Sequence, residues 1–365
     1  MTTKNDYDIM IVGGGPAGIS TWLHLHKYSP DLAAKTVLIE KANYPREKLC
    51  GGALGGWTET ILEHLNLEIN VPFIPIHTME CRLGKEVYYH EQHNFFRIIR
   101  RFDFDNVLAK TAMNRGLKLL ENEIFIDVVR NNNSLIVTTN RGKYKIQVLI
   151  GADGSLSKVR NSIKPLKKQH LAPTIEIFSP ANSEYDPEFS KNSVTIDFSP
   201  VSEGLQGYVW HFPCTKENQP FMNHGIGDFN IFPNKKRASL KKIFTRELQA
   251  RNIYMNPKSW SSHPIAIYEK DCIISQPNIL LVGDAAGIDS AVAGGIHLAL
   301  SYGDVAASTI VEAFRINDFS FNDYLIRFQN HLVGKYINKL NNLSREMYED
   351  HTKILPIIRE IFRKR

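Results

Sequence analysis

From Tyr7 to Val12 and again from Thr36 to Glu40 the apolar residues run almost without interruption, the pattern of strands buried on both faces of a parallel sheet. Between them, Pro16 to about Tyr28 has helical spacing, so residues 7–40 predict a βαβ unit. Residues 56–66 predict a helix through Trp57, Ile61, Leu62 and Leu65. From Pro72 to Phe96 the pattern turns to short strands interrupted at Gly84, and helical spacing returns at Phe104, Val107, Leu108 and Ala112. Lys118–Ile150 predicts three or four strands, with turns at Asn131–Asn133 and Arg141–Gly142. Residues 170–232 are strand-rich and carry many prolines, as in an antiparallel sheet outside a parallel core. Ala238–Ala250 predicts a helix, Ile279–Val282 another buried strand and 295–314 another helix. From Phe321 the chain is helical nearly to its end, with a break at Pro356.

Composition narrows the class without naming a function. A 365-residue chain with 43% hydrophobic and 22% charged residues is an ordinary globular protein with room for a large core, not a disordered or fibrous one. A net charge of +6 over that length does not point to nucleic acid; attraction to anionic cofactors or membrane surfaces is the more modest reading. Cys50, Cys81, Cys214 and Cys272 form no CxxC, which argues against a disulfide framework or zinc site and for a reducing compartment. With a polar N-terminus and no apolar run of about 18 residues, the expected location is cytoplasmic.

Gly13-Gly-Gly15-Pro-Ala-Gly18 is a GxGxxG between the first strand and the first helix. Gly13 permits a tight turn, Gly15 admits a pyrophosphate to the backbone, and Gly18 lets helix and strand pack closely. Glu40 closes the next strand, where a carboxylate accepts both hydroxyls of an adenosine ribose and repels a 2′-phosphate. A glycine-rich turn with no ligand is the alternative for such a motif alone. Gly283-Asp284-Ala-Ala286 directly follows the strand Ile279–Val282. A carboxylate there suits a polyol chain, or serves as a helix N-cap. The helix opened by Gly294-Gly295-Ile296 could turn its N-terminus to a flavin ring and favour negative charge at the reduced ring's N1–O2 edge.

Together, GGGPAG at 13–18, GADG at 151–154 and GDAAG at 283–287 resemble the FAD-dependent oxidoreductases of the p-hydroxybenzoate hydroxylase fold. The resemblance implies an FAD site made by Gly13, Gly15, Pro16, Ala17, Gly18, Glu40, Lys41, Arg101, Asp153, Gly283, Asp284, Gly294, Gly295 and Ile296. In it Glu40 contacts the adenosine ribose, Asp284 the ribityl chain, and Asp153 belongs to the loop near the pyrophosphate. Arg101 falls where the family has an arginine touching FAD; a solvated charge is the bland alternative. Tyr44-Pro-Arg-Glu-Lys-Leu-Cys-Gly-Gly52 is similar to the PREK-x-CGG segment of geranylgeranyl reductases, and Tyr208-Val-Trp-His-Phe-Pro213 to their YxWxFP, with Gly225 and Gly227 following as a GxG. These imply hydride transfer from reduced flavin to a C=C bond of an apolar, isoprenoid-like substrate, in a pocket with Cys50, Tyr208, Trp210 and Phe212. An aromatic series at i, i+2 and i+4 is equally what a half-buried strand carries.

Cys50, His211 and His297 are the candidate catalytic residues, although none identifies itself as an indispensable acid or base. Cys50 sits over the flavin ring or fills a gap in the core; the histidines carry a proton or are structural. Lys48 and Arg46 hold a phosphate head group or face water. The loop Ile288–Ile296 lacks the proline and the GEG usual in the reductases, which leaves the specific reaction open. The alternative is a flavin-dependent monooxygenase hydroxylating, less readily halogenating, a small aromatic or natural-product molecule. YxWxFP also resembles the WxWxIP of flavin-dependent halogenases, but Arg82 before Gly84 stands nearest their lysine, and a guanidinium does not readily form a haloamine. A non-catalytic FAD-binding or redox-sensing protein is a rival of another class.

The resemblance leaves the electron donor open between NADPH and a donor protein such as reduced ferredoxin. The last helix pairs Ile354, Leu355, Ile357, Ile358, Ile361 and Phe362 with Lys353, Arg359, Arg363, Lys364 and Arg365, a basic amphipathic pattern that either touches a membrane surface peripherally or packs on its own domain. The expected fold is α/β: a discontinuous Rossmann-like FAD-binding domain (1–75, 99–165 and 270–320), an inserted β-sheet substrate domain (76–98 and 166–269), and C-terminal helices (321–365).

Overall fold

In the computed structural model of this protein, the described residues are 3–4, 6–163, 169–182, 184–291 and 294–363. In chain order the first elements around the site are β1 (Ile9–Val12), α1 (Pro16–Tyr28), β2 (Thr36–Glu40), β3 (Phe73–Leu83), β4 (Glu86–Ile99), α2 (Arg101–Asn114), β5 (Lys118–Glu121) and β6 (Val148–Gly151). They continue with β7 (Thr174–Pro180), β8 (Ser193–Asp197), β9 (Gly207–Lys216), β10 (Gln219–Asp228), β11 (Ile279–Leu281), α3 (Ile296–Ile316), α4 (Leu332–Glu349) and α5 (Ile354–Arg363).

The strands with continuous apolar runs pair in parallel, in the order β11-β6-β1-β2-β5, and the short strand Ser275–Gln276 adds antiparallel to β11. Ile9, Met10, Ile11, Val37, Leu38 and Ile39 are all buried in the larger core, which explains why neither strand alternates. Helix α1 packs along α3, bringing the N-termini of two helices to the same end of the sheet.

A second, eight-stranded sheet runs Ser261–Ser262, β7, β10, β9, β8, β3, β4, Ala53–Leu54. Its pairs are antiparallel except β8 beside β3. The short strands expected between Pro72 and Phe96 are instead one long hairpin, of 11 and 14 residues, turning at Gly84. Polar residues on its exposed face interrupt the apolar pattern, and the ladder shifts register between Ile76 and Thr78 without ending. Likewise, 118–151 holds five strands rather than three or four: Phe125–Asn131, Ser134–Thr139 and Gly142–Ile146 form a meander between β5 and β6.

The break expected at Pro356 lies earlier, at Asp350, whose side chain accepts the Thr352 N–H and caps the turn His351–Lys353. Pro356 sits in the first turn of α5, where its missing N–H has no intrahelical partner to lose. The apolar face of α5 (Ile354, Leu355, Ile357, Ile358, Ile361) is buried in the core beneath the second sheet. Lys364 and Arg365 lie outside the described residues, as do Val292 and Ala293 of the loop after GDAAG. Among the described residues no helix is long and apolar enough to cross a membrane.

Candidate active site

Three glycine segments, far apart in sequence, meet at the C-terminal edges of the adjacent strands β1, β6 and β11. Gly13 turns at φ +105°, and a Cβ there would stand 2.4 Å from the Ala152 carbonyl oxygen, so the GADG loop packs directly beneath it. Gly283 stands so close to α1 that a Cβ would lie 2.6 Å from Ala17 Cβ. Gly15 is different. It is the N-cap of α1, in ordinary extended backbone (φ −75°, ψ 178°), and a Cβ there would meet no atom of the described residues within 4 Å. Free space in front of a helix N-terminus is where a phosphate group fits. A Cβ on Gly295, the N-cap of α3, would likewise meet no atom of the described residues within 4 Å, and Ile296 begins the buried face of that helix.

Glu40 is buried at the end of β2. Its Oε2 accepts the Gly14 N–H at 2.8 Å and its Oε1 the Ala42 N–H at 3.0 Å, and each oxygen keeps a second lone pair for a ribose hydroxyl. Arg46 lies 3.7 Å from Glu40 and 3.3 Å from Asp105, and its buried Nε has no protein partner among the described residues. Asp105, fully buried on α2, receives Arg101 Nε and Nη2 at 2.6 and 2.7 Å. Burial disfavours charge on Arg101, and the Asp105 carboxylate more than restores it. Lys48 is held below its usual pKa by burial, against the attraction of Asp284. Lys41 stands exposed. Asp153 accepts the Ser157 hydroxyl and the Lys158 and Val159 N–H groups, so its carboxylate caps a short helix and holds the loop under Gly13.

Beyond these segments lies the second sheet. Strand alternation on β9 puts Tyr208, Trp210 and Phe212 on one face. The Cys50-Gly-Gly52 segment lies against that face: a Cβ on Gly51 would come within 3.0 Å of the Phe212 ring. Trp210 lies flat over Gly225 of β10 and donates to Asn223 Oδ1 at 2.6 Å. Cys50 also feels Arg101, and burial pushes its thiol above the usual pKa, so it is not a thiolate nucleophile at neutral pH.

The same alternation turns His211 to the opposite face, where its Nδ1 lies 2.7 Å from His224 Nδ1 and burial keeps both rings neutral. His211 therefore lies on the opposite face of β9 from Tyr208, Trp210 and Phe212. Arg82 joins it in lining a different cavity of about 310 Å³, together with Asp197 and Arg251. His297, in the first turn of α3, packs edge-on against Trp57 and beside Tyr336.

Sequence reasoning missed two carboxyls. Glu176 of β7 accepts the Cys50 N–H at 3.2 Å and is pushed up to about 7 by burial, against Asn223, Cys50, Lys48 and Arg100. An acidic residue between Ile175 and Ile177 in a predicted strand was the available signal. Asp289, in the loop after GDAAG, acts electrostatically on Tyr208 and on Tyr348 of α4. Its signal was the departure of that loop from the reductase pattern.

No family model matches the chain. A digeranylgeranylglycerophospholipid reductase of Thermoplasma acidophilum is 26% identical over 86% of this chain and 80% of its own length. Among solved structures, a geranylgeranyl bacteriochlorophyll reductase-like protein of the same organism superposes with a TM-score of 0.71 at 20% identity, covering 98% of this chain and 96% of that one. The p-nitrophenol 4-monooxygenase of Pseudomonas putida gives 0.66 at 14% identity, covering 99% and 98%. The fold is thus one that flavoprotein reductases and monooxygenases share.

Proposed function

We propose that this chain, which has the fold of the FAD-dependent oxidoreductases and resembles the geranylgeranyl reductases in sequence, is an FAD-dependent reductase of a carbon–carbon double bond in an apolar, isoprenoid-like substrate. The residues present fit FAD. Open space before Gly15 and Gly295, the buried Glu40, and the unpartnered buried Nε of Arg46 form a cradle suited to an anionic dinucleotide. The segment 13–18 would hold its pyrophosphate, Glu40 the adenosine ribose, Asp284 the ribityl chain, and the α3 N-terminus would face the ring. When reduced, FAD supplies hydride chemistry. The protein's own part is to bind the substrate, keep water out and deliver a proton.

The observation that carries the reductase reading is the packing of Cys50–Gly52 against Trp210 and Phe212, which brings the two segments similar to the geranylgeranyl reductases together at one aromatic strand face. Electrons arrive from NADPH or a donor protein. Any peripheral membrane contact uses the basic edge of α5, since its apolar face is already buried.

The test is anaerobic reduction of the flavin-loaded protein, followed by reoxidation with geranylgeranyl compounds and, separately, with oxygen. Reoxidation by the isoprenoid, with product gaining two hydrogens per double bond, supports the reductase. Substrate-dependent oxygen consumption without anaerobic reoxidation assigns the protein to the monooxygenases instead.

A further inference from the structure

The segment from Tyr44 to Leu54 joins the cofactor cradle to the second sheet, and its contacts give it two distinct ends. At the first, the Tyr44 N–H donates to Glu121 at 2.6 Å, the Tyr44 hydroxyl donates to the Gly14 carbonyl, and Arg46 lies against Glu40 and Asp105. At the second, the Gly52 carbonyl accepts the Ile99 N–H at 3.0 Å, and Ala53 and Leu54 pair antiparallel with Ile98 and Arg97 of β4. Between the two ends the Cys50 N–H leaves the ladder. It donates to Glu176 Oε1, on β7, at 3.2 Å.

Strands β7 and β4 are separated in the sheet by β10, β9, β8 and β3. At the usual strand spacing a flat sheet would hold them about 24 Å apart, too far for an arginine and a phenylalanine to touch. Here they do touch. The guanidinium of Arg100, directly after β4, stacks over the Phe178 ring of β7 at 4.6 Å, and it donates to both oxygens of Glu47, in the joining segment, at 2.8 Å. The sheet is therefore curled, and Glu176 and Phe178 meet the far end of the curl across its open side.

Cross-strand register fixes the face that this closes. Glu176 pairs with Gly225 and Gly225 with Trp210, while Phe178 pairs with Asn223 and Asn223 with Phe212. Directly opposed residues share a face, so Glu176 stands in the row of the Trp210 indole with only a glycine between them. Its carboxyl is buried, whereas the Cys50 that it holds is half-buried. The bond thus ties the middle of the joining segment to the inner, aromatic face of the curl.

We propose that Glu176 is a positioning residue: by accepting the Cys50 N–H it latches Cys50–Gly52 across the curled sheet and seats it on the face of Tyr208, Trp210 and Phe212. The effect of the latch on the reaction rests on the reductase reading, in which substrate binds beside that face; the latch itself does not. An acceptor oxygen is all that it requires, so glutamine can take the place of Glu176 and alanine cannot.

The Cys50 thiol reports the latch without turnover. Cys81, Cys214 and Cys272 are buried, so alkylation of the folded protein by iodoacetamide at fixed pH reads Cys50, with Cys50→Ser as the blank. Losing the hydrogen bond raises the population of the lifted segment, and Glu176→Ala should label about 10–100-fold faster than wild type. Glu176→Gln should stay within about threefold of wild type. An alanine variant that labels as slowly as wild type, or a glutamine variant that labels as fast as alanine, overturns the latch. Hydrogen exchange on wild type needs no variant to fold: the Cys50 amide should be protected, and free exchange there also overturns the latch. Anaerobic reoxidation of the reduced protein by a geranylgeranyl compound reads the consequence. Its kcat should fall about tenfold or more in Glu176→Ala and recover in Glu176→Gln. Wild-type labelling without recovery of rate in Glu176→Gln makes the carboxyl itself the acting group and overturns the positioning role. If wild type is not reoxidised by the isoprenoid, the reductase reading fails, and labelling and exchange still decide the latch.

Discussion

Adding a single methyl group at Gly225 tests the aromatic face of β9 directly. The Cβ of Gly225→Ala would lie 2.0 Å from Trp210 Cζ2, 2.4 Å from Cε2 and 2.5 Å from Cη2, far inside the 3.4 Å of ordinary contact. The indole has to withdraw by more than about 1 Å, a displacement that overpacking studies put at about 1–3 kcal/mol. Moving it also strains or breaks the 2.6 Å bond from Trp210 Nε1 to Asn223, worth a further 0.5–1.5 kcal/mol or so. The expected loss is therefore about 2–4 kcal/mol, measured by urea unfolding with fluorescence and circular dichroism. Gly227→Ala, two residues on, places its Cβ 3.4 Å from Thr174 Cγ2 and should change stability by no more than about 0.5 kcal/mol. The decisive comparison is a double-mutant cycle. In a Trp210→Ala background the indole is gone, so Gly225→Ala should become nearly neutral and the coupling energy should be about 2–4 kcal/mol. An equal loss in both backgrounds would refute the proposed clash and the flat placement of the indole with it.

Gly15→Ala should leave stability within about 0.5 kcal/mol, because its backbone is ordinary and its Cβ meets nothing, yet weaken FAD binding by roughly tenfold or more; fluorescence titration of the apoprotein would expose an unchanged affinity. Asp105→Ala leaves Arg101 and Arg46 without their shared carboxylate and should destabilise by about 3–5 kcal/mol; a loss below about 1 kcal/mol in denaturant would contradict that network. Burial works against the charge of Glu188, but the Arg251 hydrogen bonds outweigh it and hold its pKa below the usual value of 4.5. Its stabilisation is thus present at neutral pH and lost as the pH falls below about 4.5, so Glu188→Gln should flatten the acid limb of stability against pH. An acid limb as steep in the variant as in wild type would remove the assignment.

Local chemistry was enough to read the parallel layer. Buried parallel strands need continuous apolar runs, and the turn at Gly13 leaves a glycine pattern that the backbone itself demands. The same holds for the α/β class and for the order of elements near both ends of the chain. The hairpin of β3 and β4 was less legible, because one face meets water and its polar residues mask the length of the strands.

What the chain alone left undecided concerns which side chains meet. Strand period 2 assigns Tyr208, Trp210 and Phe212 to one face and His211 to the other, but only the tertiary packing shows which face Cys50–Gly52 covers. Glu176 reads in sequence as an ordinary strand acid; it takes a buried site, with the Cys50 N–H from 126 residues earlier at its carboxyl, to push it up to about 7. Backbone conformation and burial period are short-range properties and are written into neighbouring residues. Desolvation and charge pairing depend on what folds against a group from elsewhere, so only the tertiary structure decides them.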